Sequence, residues 1–503
     1  MDINAQLVSL RETLFQAPST STWERLCEQL TELPEGECLE VALDYAQEHL
    51  SRWPDALRQA PRRWVPLLLA GLPDPRLKLV RRLDLGRQPL GVEGAKRLAR
   101  CPNLSALTML VLHDNNLGAE GARALADSPH FGGLRHLVVA SNRIGVEGAL
   151  ALTRGGRLPN LRVLDLSWNA LSPGRGQVLS ELGAFGQLER LVLAANDLRR
   201  EGVEGLAEAP ILDTLLALDL STNALCDEGA EAFFSSPRLG LLRQLRVCDN
   251  ALGQRALQAL AQAPALGGLV SLNLAGNRVG PGGGRALASS RTLRQLEVLD
   301  LSAADLDPGA ACALAGSGVL DTVRHLDLFQ NAIGAEGVAA LADSPHVEHL
   351  RHLYIGANGL GDAGVQALAA SRSMAALEGL ELSENQIGAE GARALARWPS
   401  LAGVQTLSLW DNELDDEAAA ALTRSPFLGA LDKLNLSNNR IGCAGAEALA
   451  DAPALKSLRA LSLTNNPIGD RGLKALQSSA HLSDAVKASI ATQRMAAPGE
   501  GRA

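Results

Sequence analysis

The chain has 503 residues, 46% hydrophobic and only 3% aromatic, with a formal net charge of −9. It lacks the basic excess that neutralises phosphates, so no nucleic-acid partner is expected; its longest apolar run, Trp64–Leu72, falls far short of the ~20 residues of a membrane helix, so no membrane partner is expected. Seven cysteines (Cys27, Cys38, Cys101, Cys226, Cys248, Cys312 and Cys443) are scattered, odd in number and without a CxxC pair, a pattern of free thiols in a reducing cytoplasm rather than of a disulfide framework or a zinc site.

The opening MDINAQLVSLRETLF has an early acid and no apolar core, unlike a signal peptide. Apolar residues then recur at helical spacing in Leu7–Leu10–Leu14, Trp23–Leu26–Leu30 and Leu39–Ala42–Ala46–Leu50. Pro18, Pro34, Pro54 and Pro61 separate these segments, so residues 1–75 read as a capping domain of three or four helices. Ser21 or Thr22 is the expected N-cap of the second helix. Arg62–Leu72 fits the helix of a truncated first repeat, because Pro75 precedes Gln88 by the same thirteen residues that separate Pro102 from Asn115.

Residues 76–480 repeat. The frame LxLxxN, with Val or Ile admitted as the second apolar residue, ends at Asn115, Asn142, Asn169, Asn196, Asn223, Asn250, Asn277, Asn331, Asn358, Asn385, Asn412, Asn439 and Asn466. Neighbours are 27 apart except across 277 to 331, twice that, where Ala304 fills the missing slot; Gln88 fills the slot before Asn115. Fifteen units without insertion or deletion are the mark of a stacked-repeat architecture, which grows by adding units rather than by thickening one core.

Within a unit such as 107–134, Leu110 and Leu112 alternate with outward positions, as in a short strand with one buried face. Glu120–Asp127 has Ala122, Leu125 and Ala126 at helical spacing, and Pro129 stops that helix. Glycine recurs in the strand-to-helix loop at positions including Gly118, Gly253, Gly280, Gly388 and Gly442, which predicts positive φ or close backbone approach. The asparagines should form a buried ladder whose amides satisfy loop backbone groups, with the repeat of Ala304 the least well satisfied.

These residues resemble the leucine-rich-repeat family, specifically its ribonuclease-inhibitor-like subclass: LxxLxLxxNxI/L followed by GxEGAxALA, as in LRHLVVASNRIGVEGALAL (134–152). The likeness covers roughly Leu77 to Leu476. It implies an α/β fold, a right-handed solenoid or horseshoe with a parallel sheet on the concave side and helices on the convex side, behind the α-helical N-terminal cap. Beyond Asn466, one more helix from about Asp470 to Gln477 and another over Ser483–Gln493 are expected to cap the last strand. Residues 481–503 thus form a cap helix and a tail, AAPGEGRA, expected to be disordered.

Stacked strands turn each slot into a column. Four before the asparagine stand Asp84, Asp165, Asp219, Asp300, Asp327 and Glu381; six before stand Arg82, His136, Arg190, Gln244, His325, His352 and Lys433. The acidic column suits a partner with a basic surface. Aromatics are scarce, so Phe329 and Trp410, two before the asparagine, and Tyr354, four before, are notable. With His325, Asp327, His352, Asp300 and Glu381 they form the candidate partner-binding patch of the concave face, since aromatics are favoured interface anchors.

No catalytic constellation is legible. PGGGR at 281–285 lacks the Lys and Ser/Thr of a phosphate loop, and no GxSxG is present. His346, His349 and His352 fall in loop and strand rather than on one helix face, and no third ligand joins His325 and His352. No metal and no cofactor is expected. Cys226 and Cys443 are placed in the loop slot after the strand. The reading is a non-catalytic protein-interaction scaffold; the alternatives are a docking factor or activator of a small GTPase, as the family resemblance allows, and a structural array without a ligand.

Overall fold

The computed structural model describes residues 3–72, 74–153, 158–172, 179–180 and 187–493. The tail 496–503 lies outside them. The chain divides into two compact units, Met1–Ala224 and Leu225–Ala503.

The first unit opens with helices α1 (Ile3–Leu14), α2 (Thr20–Glu32), α3 (Glu37–His49) and α4 (Val65–Leu69). Trp23, Leu26, Cys27 and Leu30 of α2 and Leu39, Ala42, Leu43 and Ala46 of α3 are buried, one apolar stripe from each helix. The N-cap of α2 is Ser19, not Ser21 or Thr22. Its Oγ accepts the Thr22 N–H at 3.1 Å, and the Ser21 and Thr22 hydroxyls gather around it. The helix therefore starts directly after Pro18, at the first residue that can offer a side-chain acceptor to the exposed N–H groups.

Six parallel strands follow: β1 (Arg82–Asp84), β2 (Met109–Val111), β3 (His136–Val138), β4 (Val163–Asp165), β5 (Arg190–Val192) and β6 (Ala217–Asp219). Each pairs with the next one repeat on, so that Leu83, Leu110, Leu137, Leu164, Leu191 and Leu218 lie side by side and buried. The open edge of β1 is covered by residues 58–60. Ala60 N–H donates to Arg82 O at 2.8 Å, and the N–H groups of Arg81 and Arg82 donate to Arg58 O. Arg58, 1% exposed, donates from Nε to Leu79 O and from Nη1 to Leu50 O, which ties bundle to repeats. Burial, then the neighbouring Arg81, push its pKa down to about 10.

The second unit holds β7 (Gln244–Arg246), β8 (Ser271–Asn273), β9 (Val298–Asp300), β10 (His325–Asp327), β11 (His352–Tyr354), β12 (Gly379–Glu381), β13 (Thr406–Ser408), β14 (Lys433–Asn435) and β15 (Ala460–Ser462), again parallel, in chain order and in register. A helix Asp484–Thr492 closes it. Gln493 accepts the Leu463 N–H through Oε1 and donates from Nε2 to Leu461 O, both at 2.7 Å, which satisfies part of the free edge of β15. Among the described residues no helix is long and apolar enough to cross a membrane.

Each asparagine amide joins successive turns of chain. Asn142 donates from Nδ2 to the carbonyls of Leu112, Val139 and Ala140 at 2.7–2.9 Å, and its Oδ1 accepts the N–H groups of Asn115 and Leu117. Ala304 still donates to Asn331 Oδ1 at 3.1 Å, so its own backbone is served. The slot of Ala304 instead offers no carboxamide to the N–H groups of Asn277 and Val279, whose counterparts Asn250 and Leu252 donate to Asn277 Oδ1. Among the described residues, the ladder oxygen that is buried without a partner is that of Asn115, at the start of the ladder, where Gln88 breaks the frame.

Two further devices were not legible in the sequence. Serines ahead of the recurrent proline bond back to the helix of the preceding repeat, as Ser344 Oγ does to Ala315 O at 2.5 Å and Ser128 Oγ to Ala99 O at 2.6 Å. The proline itself then opens a 3-10 turn, as in Pro345–Val347, rather than only ending a helix. The glycine slot takes two conformations. Gly118 and Gly280 have φ near +60°, but Gly253, Gly388 and Gly442 are extended. In those three the preceding helix supplies an aspartate, Asp227, Asp362 or Asp416, whose Oδ1 accepts the glycine N–H at 2.6–2.7 Å.

Candidate functional site

The strands alternate one inward leucine with two outward positions, and on β9–β12 all but Val298 and Gly379 of these carry an aromatic ring, an imidazole or a carboxylate. Asp327 lies in register between Asp300 and Tyr354, and Tyr354 faces Glu381 on its other side. One row over, the rings of His325 and His352 stack at 4.4 Å with planes 13° apart, and Tyr354 lies 6.5 Å from His352 with a similar tilt. Two glycines make room for this. A Cβ on Gly379 would stand 2.4 Å from His352 Nδ1, and one on Gly356 would stand 2.3 Å from Glu381 Oε2 and 2.8 Å from the Phe329 ring. The flat histidine and the Phe329–Glu381 pair therefore rest on bare backbone.

The Leucine Rich repeat family matches ten segments of the chain: 104–126, 134–152, 157–174, 213–234, 269–288, 320–342, 347–369, 377–396, 431–450 and 454–476. The chain is a leucine-rich-repeat protein. No curated protein sequence matches it. Similar solved structures include an internalin of Listeria monocytogenes (18% identity, 76% of this chain and 87% of that one, TM-score 0.40). A leucine-rich-repeat protein of Leptospira interrogans is similar at 21% identity, with 84% and 91% covered and a TM-score of 0.43. The Toll–Spätzle complex of Drosophila is similar at 18% identity, with 78% and 52% covered and a TM-score of 0.42.

In this leucine-rich-repeat array the patch is electrostatically tense. Burial raises the Asp327 pKa to about 6; the Phe329 N–H, donating to Oδ1 at 2.9 Å, works against this, and Asp300 and Glu381 add to it. Burial, then Asp327 and Glu381, raise the Tyr354 phenol. Burial and the stacked His352 lower the His325 pKa, with Glu378 opposing. Among the described residues, His325 Nδ1 and Glu381 Oε2 are buried atoms that meet no hydrogen-bond partner, while Glu381 Oε1 accepts the Ser383 N–H at 2.9 Å. Asp300 is better served, by Ser302 and by Asn273 Nδ2 at 2.7 Å.

Not every expected member belongs. Trp410 follows β13, three strands from Phe329, and among the described residues no ring contact joins it to the others. His346 leaves the histidine tract to bond Asp321 at 2.6 Å. Cys226 and Cys443 are the first residues of helices (Cys226–Phe234 and Cys443–Ala450), not loop residues. Arg351 and Glu378, paired with each other just ahead of β11 and β12, were missed; Glu378 Oε2 is 4.0 Å from His352 Nε2. Their signal was the charged column seven before the asparagine, Arg324, Arg351 and Glu378.

Proposed function

We propose that the protein is a non-catalytic interaction scaffold that holds a protein partner on the outward face of β9–β12, the face that the family likeness places on the concave side. The observation that carries this reading is the cluster of His325, His352 and Tyr354 rings beside a half-buried Asp327. Ring faces that are already ordered lose little entropy on binding, which is why aromatic residues anchor interfaces. Asp300, Asp327 and Glu381 favour a partner that brings a basic side chain, because a cation between them relieves their mutual repulsion. The helices α1–α4 act as the cap of the array. The seven cysteines, none in a disulfide, support a reducing compartment such as the cytoplasm.

The test is affinity capture from lysate with wild type and a Phe329→Ala/Tyr354→Ala variant, both shown to melt alike. A protein recovered by wild type and lost with the variant supports the reading. Identical recoveries from the two baits would refute the patch.

A further inference from the structure

The outward face of β1–β5 in the first unit has a different chemistry. Its first row runs Arg82, Met109, His136, Val163, Arg190, register partners strand by strand. Cationic or protonatable groups thus fall on every second strand, about 9.6 Å apart. Met109 and Val163 between them, and Val111, Val138 and Val192 in the next row, where Asp165 parts Val138 from Val192, are half-buried and leave apolar surface open to solvent. His136, Arg135 and Arg190 are exposed around it.

The positive charge is not cancelled locally. Arg162 is paired with Glu189 and Arg81 with Asp55, but among the described residues Arg135 and Arg190 make no ion pair. Burial, then Arg82 and Arg135, push the His136 pKa down, so the three groups feel one another's field. The acids of the second row, Asp84 and Asp165, each already accept an N–H two residues on, Gly86 and Ser167, at 2.9 Å. Apolar side chains interleaved with cationic ones give this face both kinds of contact that a protein interface uses.

We infer that this face docks a protein segment in which carboxylates flank aliphatic side chains. The aliphatic groups lie on Met109, Val138 and Val163, and the carboxylates reach Arg135, His136 and Arg190. A polypeptide fits better than a nucleic acid, because Asp84 and Asp165 lie one row below the cations and repel a continuous phosphate chain. The inference uses no residue of the β9–β12 patch and stands independently of it.

The probe is a short fluorescein-labelled peptide with a leucine pair flanked on both sides by glutamates, titrated with the full chain and followed by anisotropy. Controls replace its glutamates by lysines, replace its leucines by serines, or substitute a labelled single-stranded oligodeoxynucleotide. The glutamate–leucine peptide should bind, weaken as salt rises, and bind about tenfold less tightly to an Arg135→Gln/Arg190→Gln variant. Both control peptides should bind less well, and Phe329→Ala/Tyr354→Ala should leave the affinity unchanged. Melting curves of the arginine variant that overlay wild type show its loss to be local. Three results overturn the inference: equal affinity for wild type and the arginine variant, tighter binding of the oligodeoxynucleotide than of the peptide, or a self-association that the arginine variant abolishes.

Discussion

Asn331 accepts the backbone N–H groups of both Ala304 and Leu306 through one oxygen, at 3.1 and 2.9 Å. It is also the one ladder asparagine that is half-buried rather than buried, and its neighbour on one side is a methyl instead of a carboxamide. Asn331→Ala should therefore cost about 1–3 kcal/mol by stranding those donors and the Leu301 carbonyl. Ala304→Asn should raise the melting temperature, since it restores an acceptor to the N–H groups of Asn277 and Val279. Thermal melts of the two variants moving in opposite directions would bear this out; a destabilised Ala304→Asn would show the slot to be too tight for an amide.

Asp362 caps a helix that belongs to the next repeat, accepting the N–H groups of Gly388 and Gly391 at 2.7 and 2.9 Å. Asp362→Ala should cost about 1 kcal/mol, the usual value of a lost N-cap, and Asp362→Asn distinctly less, because its oxygen still accepts. In a repeat array the loss is local, so hydrogen exchange should quicken over Ala389–Ala396 in the alanine variant. Unchanged exchange there would mean that water replaces the carboxylate.

Asp327 gives stability a pH dependence of unusual sign. Its folded pKa, about 6, lies above that of an unfolded aspartate, so between about pH 4 and pH 6 the folded chain binds the extra proton. Its contribution to stability is complete at the low end of that window and falls as pH rises through 6. His325, whose pKa is lowered, acts in the opposite sense, losing stability as pH falls below the ordinary histidine range. Asp327→Asn should remove the first effect and stabilise the protein near pH 7 by an amount on the order of 1 kcal/mol, discounted for partial solvent exposure. An NMR titration that found Asp327 ionising near pH 4 would refute both statements.

Gly379→Ala should leave the fold intact but unseat His352, whose Nδ1 lies where the new Cβ would stand. The clash is with a side chain that can rotate, so the stability loss should stay under about 1 kcal/mol. The stack on His325 should open, and the His325 pKa should move back towards its ordinary value. Histidine chemical shifts followed through pH 5–8 measure this, and an unaltered His325 titration would show that the stack does not depend on Gly379.

The repeat was legible because its signal is periodic at two scales. The 27-residue spacing puts like residues in register, and the alternation around each leucine says which side chain faces out. The columns Asp300–Asp327–Tyr354–Glu381 and His325–His352 therefore follow from the sequence alone. Capping was less legible. Ser19 rather than Ser21 starts α2, and three loop glycines are extended, because the deciding acceptor comes from where the backbone turns or from the preceding repeat.

Sequence alone thus determined the repeat unit, the register, the buried leucines and the outward columns, all consequences of short-range periodicity. Tertiary structure alone decided which column members meet. His352 lies flat because Gly379 has no side chain, Phe329 meets Glu381 over Gly356, and Trp410 is left three strands away. It also decided that Arg58, in a polar stretch that reads as surface, is buried against Leu50 and Leu79. Such contacts depend on ring orientation and on the absence of a Cβ one strand over, and neither is a property of any local window of residues.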